Sequence, residues 1–158
     1  MNIVLDHSLV DHQNIHYLEK KKNNIIDGIF TKIIYSDKWV TLNGLYIYFP
    51  IQNYTVERSI NKNNLFFQTK TPSNHVLIKQ ITELENRIIE YYIQEHNLIK
   101  FGVNSLFNQL CSGKIKLYKE NHNYYTNSKK SPVIVLKISG VWENSNDVGI
   151  TYKFLEMM

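Results

Sequence analysis

The sequence predicts a strand-dominated α+β domain, and three observations predict it. Two β-rich runs, Val133 to Trp142 and Val148 to Leu155, flank the turn-forming residues 143–147 and read as a hairpin with a longer loop. Residues 40–49 alternate between two faces as a strand does, until Pro50 stops them. Between these β segments, Ile81, Leu84, Ile88 and Tyr92 recur at spacings of three and four, which makes one apolar helical stripe.

Taken in order, residues 1–24 hold no steady period and end in Lys20, Lys21, Lys22, Asn23 and Asn24. They are expected to form an N-terminal arm or short helix, with residues 25–158 as a single globular domain. Ile25 to Ile34 is β-branched and reads as a first strand, with Ser36, Asp37 and Lys38 turning the chain before Trp39. The return strand carries Val40, Leu42, Gly44, Tyr46 and Tyr48 on one face and Thr41, Asn43, Leu45, Ile47 and Phe49 on the other. Leu65 to Gln68 reads as a short strand closed by Thr71 and Pro72. In the helix, Thr82 and Glu85 match a capping box, and Glu83 with Arg87 matches an ion pair one turn apart. Asn104 to Leu110 suggests a second short helix, with Asn104 or Ser105 as cap and Gly113 as stop. Ile115 to Tyr118 then reads as a strand, followed by a polar loop through Asn121, Asn127, Lys129 and Lys130. Gly140, inside the first run of the last hairpin, marks a bulge or the close approach of another backbone or a ligand. The order is two or three strands, a helix, and about three more strands. It fits an OB-like partly open β-barrel, in which a helix sits between the third and fourth strands, and equally a curved antiparallel sheet with one main helix.

With 43% hydrophobic and 20% charged residues, the composition excludes a disordered tail, a collagen-like polymer and a disulfide-stapled miniprotein. No apolar run approaches the roughly 18 residues of a membrane helix, and Met1 to Val10 lacks the pattern of a secretory signal, so an intracellular location is expected. Cys111, beside Leu106, Phe107 and Leu110, is expected as a buried thiol in a reducing compartment. The net charge of +4 comes almost wholly from lysine, with arginine only at Arg58 and Arg87. Such a balance permits an anionic partner without requiring one. Ile, Asn, Lys and Tyr are abundant and Ala is absent, which points to an A/T-rich gene and attributes part of the lysine excess to codon usage.

Asp6, His7, Asp11, His12 and His16 are the clustered metal-capable side chains, and His12 and His16 would share a helix face. Metal coordination needs three or four ligands held rigidly, whereas this segment is the least structured; a solvated arm and no metal site are expected. His75, His96 and His122 stand singly and read as surface or loop residues. No pair of acid and base residues predicts shifted pKa values, and neither a Gly-x-Ser-x-Gly elbow nor a glycine-rich phosphate loop occurs. The expectation is a non-enzymatic protein without a cofactor. What remains is aromatic side chains interleaved with lysines on the expected strands. Unpaired bases stack on aromatic faces while lysines neutralise the phosphates between them. The expected nucleic-acid-binding surface is Trp39, Tyr46, Tyr48, Tyr118 and Trp142, with Lys38, Lys116, Lys119 and Lys137 making phosphate contacts. Phe66, Tyr152 and Phe154 are expected in the core.

Residues 136–143 (Leu136, Lys137, Ile138, Ser139, Gly140, Val141, Trp142, Glu143) and 149–154 (Gly149, Ile150, Thr151, Tyr152, Lys153, Phe154) resemble the end of small proteins of nucleocytoplasmic large DNA viruses. Asn43, Gly44, Leu45, Tyr46 and Ile47 fit the same resemblance. Such viruses encode OB-like single-stranded DNA-binding proteins. The resemblance therefore implies an accessory role in viral replication or recombination, located in the host cytoplasm, a viral factory or the virion. The chain differs from many single-strand binding proteins in ending on Glu156, Met157 and Met158, so recruitment of partners through an acidic tail is not expected. The leading expectation is a single-stranded nucleic-acid-binding protein with no membrane partner. The alternative is a structural or assembly protein, either a minor virion component or a homo-oligomer, whose aromatic strands pack against protein.

Overall fold

The computed structural model describes residues 3–24, 27–119 and 131–157. Among these residues the chain forms ten strands in one mixed sheet and two α-helices. Six strands precede the main helix: β1 (Ile15–Asn23), β2 (Gly28–Ser36), β3 (Thr41–Leu42), β4 (Leu45–Tyr48), β5 (Tyr54–Arg58) and β6 (Asn63–Phe67). Helix α1 (Pro72–Glu95) is followed by β7 (Phe101–Gly102), α2 (Ser105–Cys111), β8 (Lys114–Lys119), β9 (Val133–Glu143) and β10 (Asp147–Met157).

The expected C-terminal hairpin is the spine of the sheet. β9 and β10 pair antiparallel over almost their whole length, and the turn is closed by Asn144, whose Oδ1 accepts from the amides of Asn146 and Asp147. The outer edge of β9 is shared, β4 pairing with residues 135–138 and β2 with residues 140–143. The outer edge of β10 carries β7 at its start and β8 at its end, both parallel to it. The main path runs β1-β2-β9-β10-β8-β6-β5, and β1 and β5 end it without pairing with each other. The open sheet with one main helix is therefore the form found, and not a closed barrel; the parallel β7 and β8 make it mixed.

Both helices lie on one face. Tyr92 of α1 meets Thr31 of β2 and Glu143 of β9, and Tyr152 of β10 donates to the Ser105 carbonyl and Gln109 of α2. Between helices and sheet the core holds Ile33, Leu45, Ile47, Leu65, Ile115, Leu136, Ile138 and Phe154 from strands, with Ile81, Leu84, Ile88, Leu106 and Leu110 from helices. Burying each such side chain contributes about 1.5–3 kcal/mol.

Several elements differ from the sequence reading. Residues 15–23, expected within an arm or short helix, pair with β2 as an edge strand, with a register shift between Tyr17 and Lys20. The return strand after Trp39 is not continuous. Gly44 adopts φ +115°, a conformation that favours glycine, and it divides β3, which pairs with β2, from β4, which pairs with β9. Strand β5 is an addition. Helix α1 begins at Pro72 with Thr71 as N-cap, so Thr82 and Glu85 are not a capping box. Thr82 instead donates back to the Ile78 carbonyl, while Glu85 is fully buried and accepts from the amides of Leu106 at 3.0 Å and Phe107 at 2.9 Å. A carboxylate from α1 thus caps α2, where the Asn104 side chain makes no capping bond. No Glu83–Arg87 ion pair forms among the described residues. The stop at Gly113, with φ +72°, is as expected. Cys111 is exposed and not buried, because α2 turns Leu106 and Leu110 inward and leaves the residue after Leu110 outside. The start of the expected first strand at Ile25, and the polar loop with Asn121, His122, Asn127, Lys129 and Lys130, lie outside the described residues.

Gly140 is both a bulge position and a close approach. Ser139 is the extra residue where the β9–β10 register shifts. A Cβ on Gly140 would lie 2.5 Å from both Phe30 Cζ and the Thr31 carbonyl oxygen of β2. Because a carbonyl in a ladder cannot step aside as a side-chain tip does, Gly140→Ala is expected to cost about 1–3 kcal/mol, read as a lowered urea midpoint with unchanged m. An unchanged midpoint would show that β2 yields freely.

Candidate functional site

Alternation along the strands decides what the helix-free face presents. With Thr31, Glu143 and Tyr152 facing the helices, the opposite face carries Tyr46 and Tyr48 of β4, Lys137 and Trp142 of β9, Lys153 of β10, Lys116 and Tyr118 of β8 and Phe66 of β6. The registers join these residues into two rows. In the first, Tyr48 faces Val135, Val135 faces Leu155, and Leu155 lies beside Tyr118. The two tyrosines are 44% and 42% exposed, whereas Val135 and Leu155 between them are buried.

The second row carries the charge. Tyr46 faces Lys137 and Lys137 faces Lys153. The parallel register that sets Leu117 beside Phe154 sets Lys116 beside Lys153. Three lysines thus occupy adjacent positions on β9, β10 and β8. Neighbouring strands lie about 4.8 Å apart, and like charges directly opposite one another are destabilising. Among the described residues, Lys116, Lys137 and Lys153 join none of the ion pairs, which involve Lys20, Lys100, Arg58 and His7. Aromatic rings supply part of the compensation. Lys137 Nζ lies 5.0 Å from the Tyr46 ring centre, Lys116 Nζ 4.8 Å from that of Tyr118, and Lys114 Nζ 5.4 Å from that of Phe66. Each such contact is worth about 0.5–1 kcal/mol at an exposed site.

Tyr46, Tyr48, Lys116, Tyr118 and Lys137, all expected from the sequence, come together here, and register adds Lys153, Lys114 and Phe66. The others are placed apart. Lys38 and Trp39 occupy the β2–β3 turn, where Asp37 Oδ1 accepts from the Trp39 and Val40 amides and the indole is 82% exposed with Lys38 Nζ 4.9 Å from its ring. Trp142 is on the same face but about 15 Å along β9 from Lys137, packed over Gly149. Lys119 falls on the parity of buried Leu117, beside Glu156, and so on the helix side. Tyr152 and Phe154 pack with the core as expected, and Phe66 is half-buried.

No protein-family model matches the chain, and neither does any curated protein or solved structure.

The N-terminal acidic and histidine residues serve local structure. Asp6 and Asp11 each cap a short 3-10 turn, at His7–Leu9 and His12–Asn14, and the His12 ring stacks on Tyr91 of α1 at 5.4 Å. Among the described residues, no group of three or more His, Cys, Asp or Glu side chains is placed to hold a metal ion. No described helix is long and apolar enough to cross a membrane.

A polar centre that the sequence reading did not anticipate sits on the helix side. Glu143, 3% exposed, accepts from Lys100 Nζ at 2.8 Å, from Lys20 Nζ at 3.1 Å and from the Tyr92 hydroxyl at 2.5 Å. The Thr31 hydroxyl lies 2.8 Å from that of Tyr92. Burial by itself raises a carboxyl pKa, but here the bonds from Lys100, Tyr92 and Lys20 outweigh it and hold Glu143 down to about 2. The sign follows from linkage. A carboxyl held below its ordinary 4.5 adds stability above that pH and loses it as the pH falls towards 2. Over that window the wild type is expected to lose about 3 kcal/mol more stability than Glu143→Gln, measured by urea unfolding at stepped pH. Parallel pH profiles for the two proteins would refute this assignment.

Proposed function

We propose that the open face of the sheet binds single-stranded nucleic acid, without catalysis and with little sequence preference, in the replication or recombination setting that the C-terminal resemblance implies. The observation that carries this reading is the row of Lys137, Lys153 and Lys116, adjacent on three strands and without a carboxylate partner among the described residues. A sugar-phosphate chain crossing the strands relieves the repulsion within that row. Counterion release then drives association and makes it salt-dependent. Tyr46, Tyr48 and Tyr118 border the row, and each base stacked on such a ring contributes about 1–3 kcal/mol. Neither ingredient distinguishes one base from another.

Fluorescence anisotropy of a labelled thymidine oligomer, titrated at several salt concentrations, tests the reading with an internal control. Lys116→Ala is expected to reduce the log–log salt slope by about 0.7. Lys119→Ala, on the same strand but the opposite face, should leave the slope unchanged. Equal effects of the two substitutions, or no binding at low salt, would overturn the assignment and direct attention to the same aromatic face as a protein interface.

A further inference from the structure

Strand β5 ends the sheet, and among the described residues nothing pairs with its outer side. The direction of its backbone groups follows from its neighbours. The Phe67 amide donates to the Gly113 carbonyl on the β8 side, so along β6 the backbone groups of Phe66 and Asn64 point the other way, towards β5. Their partners Thr55 and Glu57 face β6 in turn, as do Asn53, whose carbonyl accepts from the Gln68 amide, and Ser59, whose amide donates to the Lys62 carbonyl. Tyr54, Val56 and Arg58 therefore direct their amides and carbonyls to the free edge. We infer that this edge pairs antiparallel with β5 of a second copy of the chain, about a two-fold axis at Val56.

That register satisfies every outward group. Val56 exchanges both of its bonds with Val56 of the second copy, and Tyr54 of each copy exchanges both with Arg58 of the other. The side chains agree with it. Arg58, half-exposed while Glu156 Oε2 accepts from its Nη1 at 2.8 Å, comes opposite the ring of Tyr54, and Thr55 comes opposite Glu57. Sliding by two residues one way would set Glu57 against Glu57, and like charges directly opposite are destabilising; sliding the other way would carry Glu57 and Arg58 past the partner strand. Because the axis stands perpendicular to the sheet, both copies keep their helices on one side, and Tyr54 and Val56, half-buried against the core, gain cover from the second copy. The opposite end of the sheet is built otherwise. There β1 carries a register shift and Lys20, Lys21 and Lys22, devices that keep an edge from pairing, whereas β5 has no register shift, lysine or proline. Interfaces of standard size use about 20–30 residues a side, so pairing through the five residues of β5 makes a weak, reversible dimer. The inference is independent of the nucleic-acid reading, since no residue of the lysine row lies on β5.

Sedimentation velocity at protein concentrations of about 5–500 µM tests the pairing. The mass is expected to climb from that of one chain towards that of two. Val56→Pro removes an outward amide and no bond to β6, so it should hold the chain monomeric throughout with an unfolding midpoint close to that of the wild type. Two further variants report on the register at an exposed position. Thr55→Lys sets an ammonium opposite Glu57 on both sides of the axis and should tighten the dimer about threefold, whereas Thr55→Glu sets carboxylates together and should weaken it by a similar factor. Net charge alone predicts the reverse order, since the chain already carries +4. A single-chain mass at every concentration, a dimer that survives Val56→Pro, or Thr55 variants with equal or inverted effects overturns the inference. If Val56→Pro fails to fold, the two Thr55 variants decide the matter.

Discussion

The pairing of β9 with β10 is the constraint on which the rest of the molecule depends. Every other strand reaches the sheet through one of these two or through a strand already attached to them. Their alternation also decides which side chains enter the core and which stay outside, because one residue of slip would exchange the faces. The slip is prevented by the core itself: Ile134, Leu136, Ile138, Val148, Ile150 and Phe154 all need the helix side. At Ser139 the ladder takes up one extra residue, which keeps Val141 and Glu143 facing the helices beyond the bulge and lets β2 replace β4 along the same edge.

Two buried carboxylates then connect the helices to this frame. Glu85 satisfies two amides at the start of α2, a helix too short to persist on its own. Glu143 gathers Lys20 from β1, Lys100 from the α1–β7 connection and Tyr92 from α1 at the end of β9. Taking a carboxylate out of water is expensive, and such a group is tolerated only where donors surround it. The donors here come from segments far apart in the chain, so the charge is satisfied only in the assembled fold.

These long-range partnerships mark where the sequence stops being legible. The C-terminal hairpin, α1 and the Asp37 turn follow from patterns of a few neighbouring residues, and each is found. Residues 15–23 form a strand despite their lysines because an edge strand, with one side in water, needs no apolar alternation; charged side chains are what such edges commonly carry. Thr82 and Glu85 have the spacing of a capping box, but the helix extends back to Pro72, and Glu85 finds its amides across the packing interface. The candidate face was legible as a composition of tyrosine and lysine and not as a surface. Lys116 and Lys119 look alike in sequence, yet alternation sends them to opposite faces, and Lys153 joins the row only because β8 lies parallel beside β10.

The division of labour between the two faces follows from the same alternation. On the helix side, apolar residues and the satisfied carboxylates of Glu85, Glu143 and Glu156 hold the fold. On the other, like charges stand side by side at a cost to stability that ring contacts offset only in part. A sheet selected for stability alone would alternate the signs of its cross-strand pairs. An A/T-rich gene would favour lysine over arginine at a basic position, but it would not place three lysines on one register line. That placement is what a bound polyanion would relieve, and it lies on the face away from the helices, where substitutions do not pass through the core.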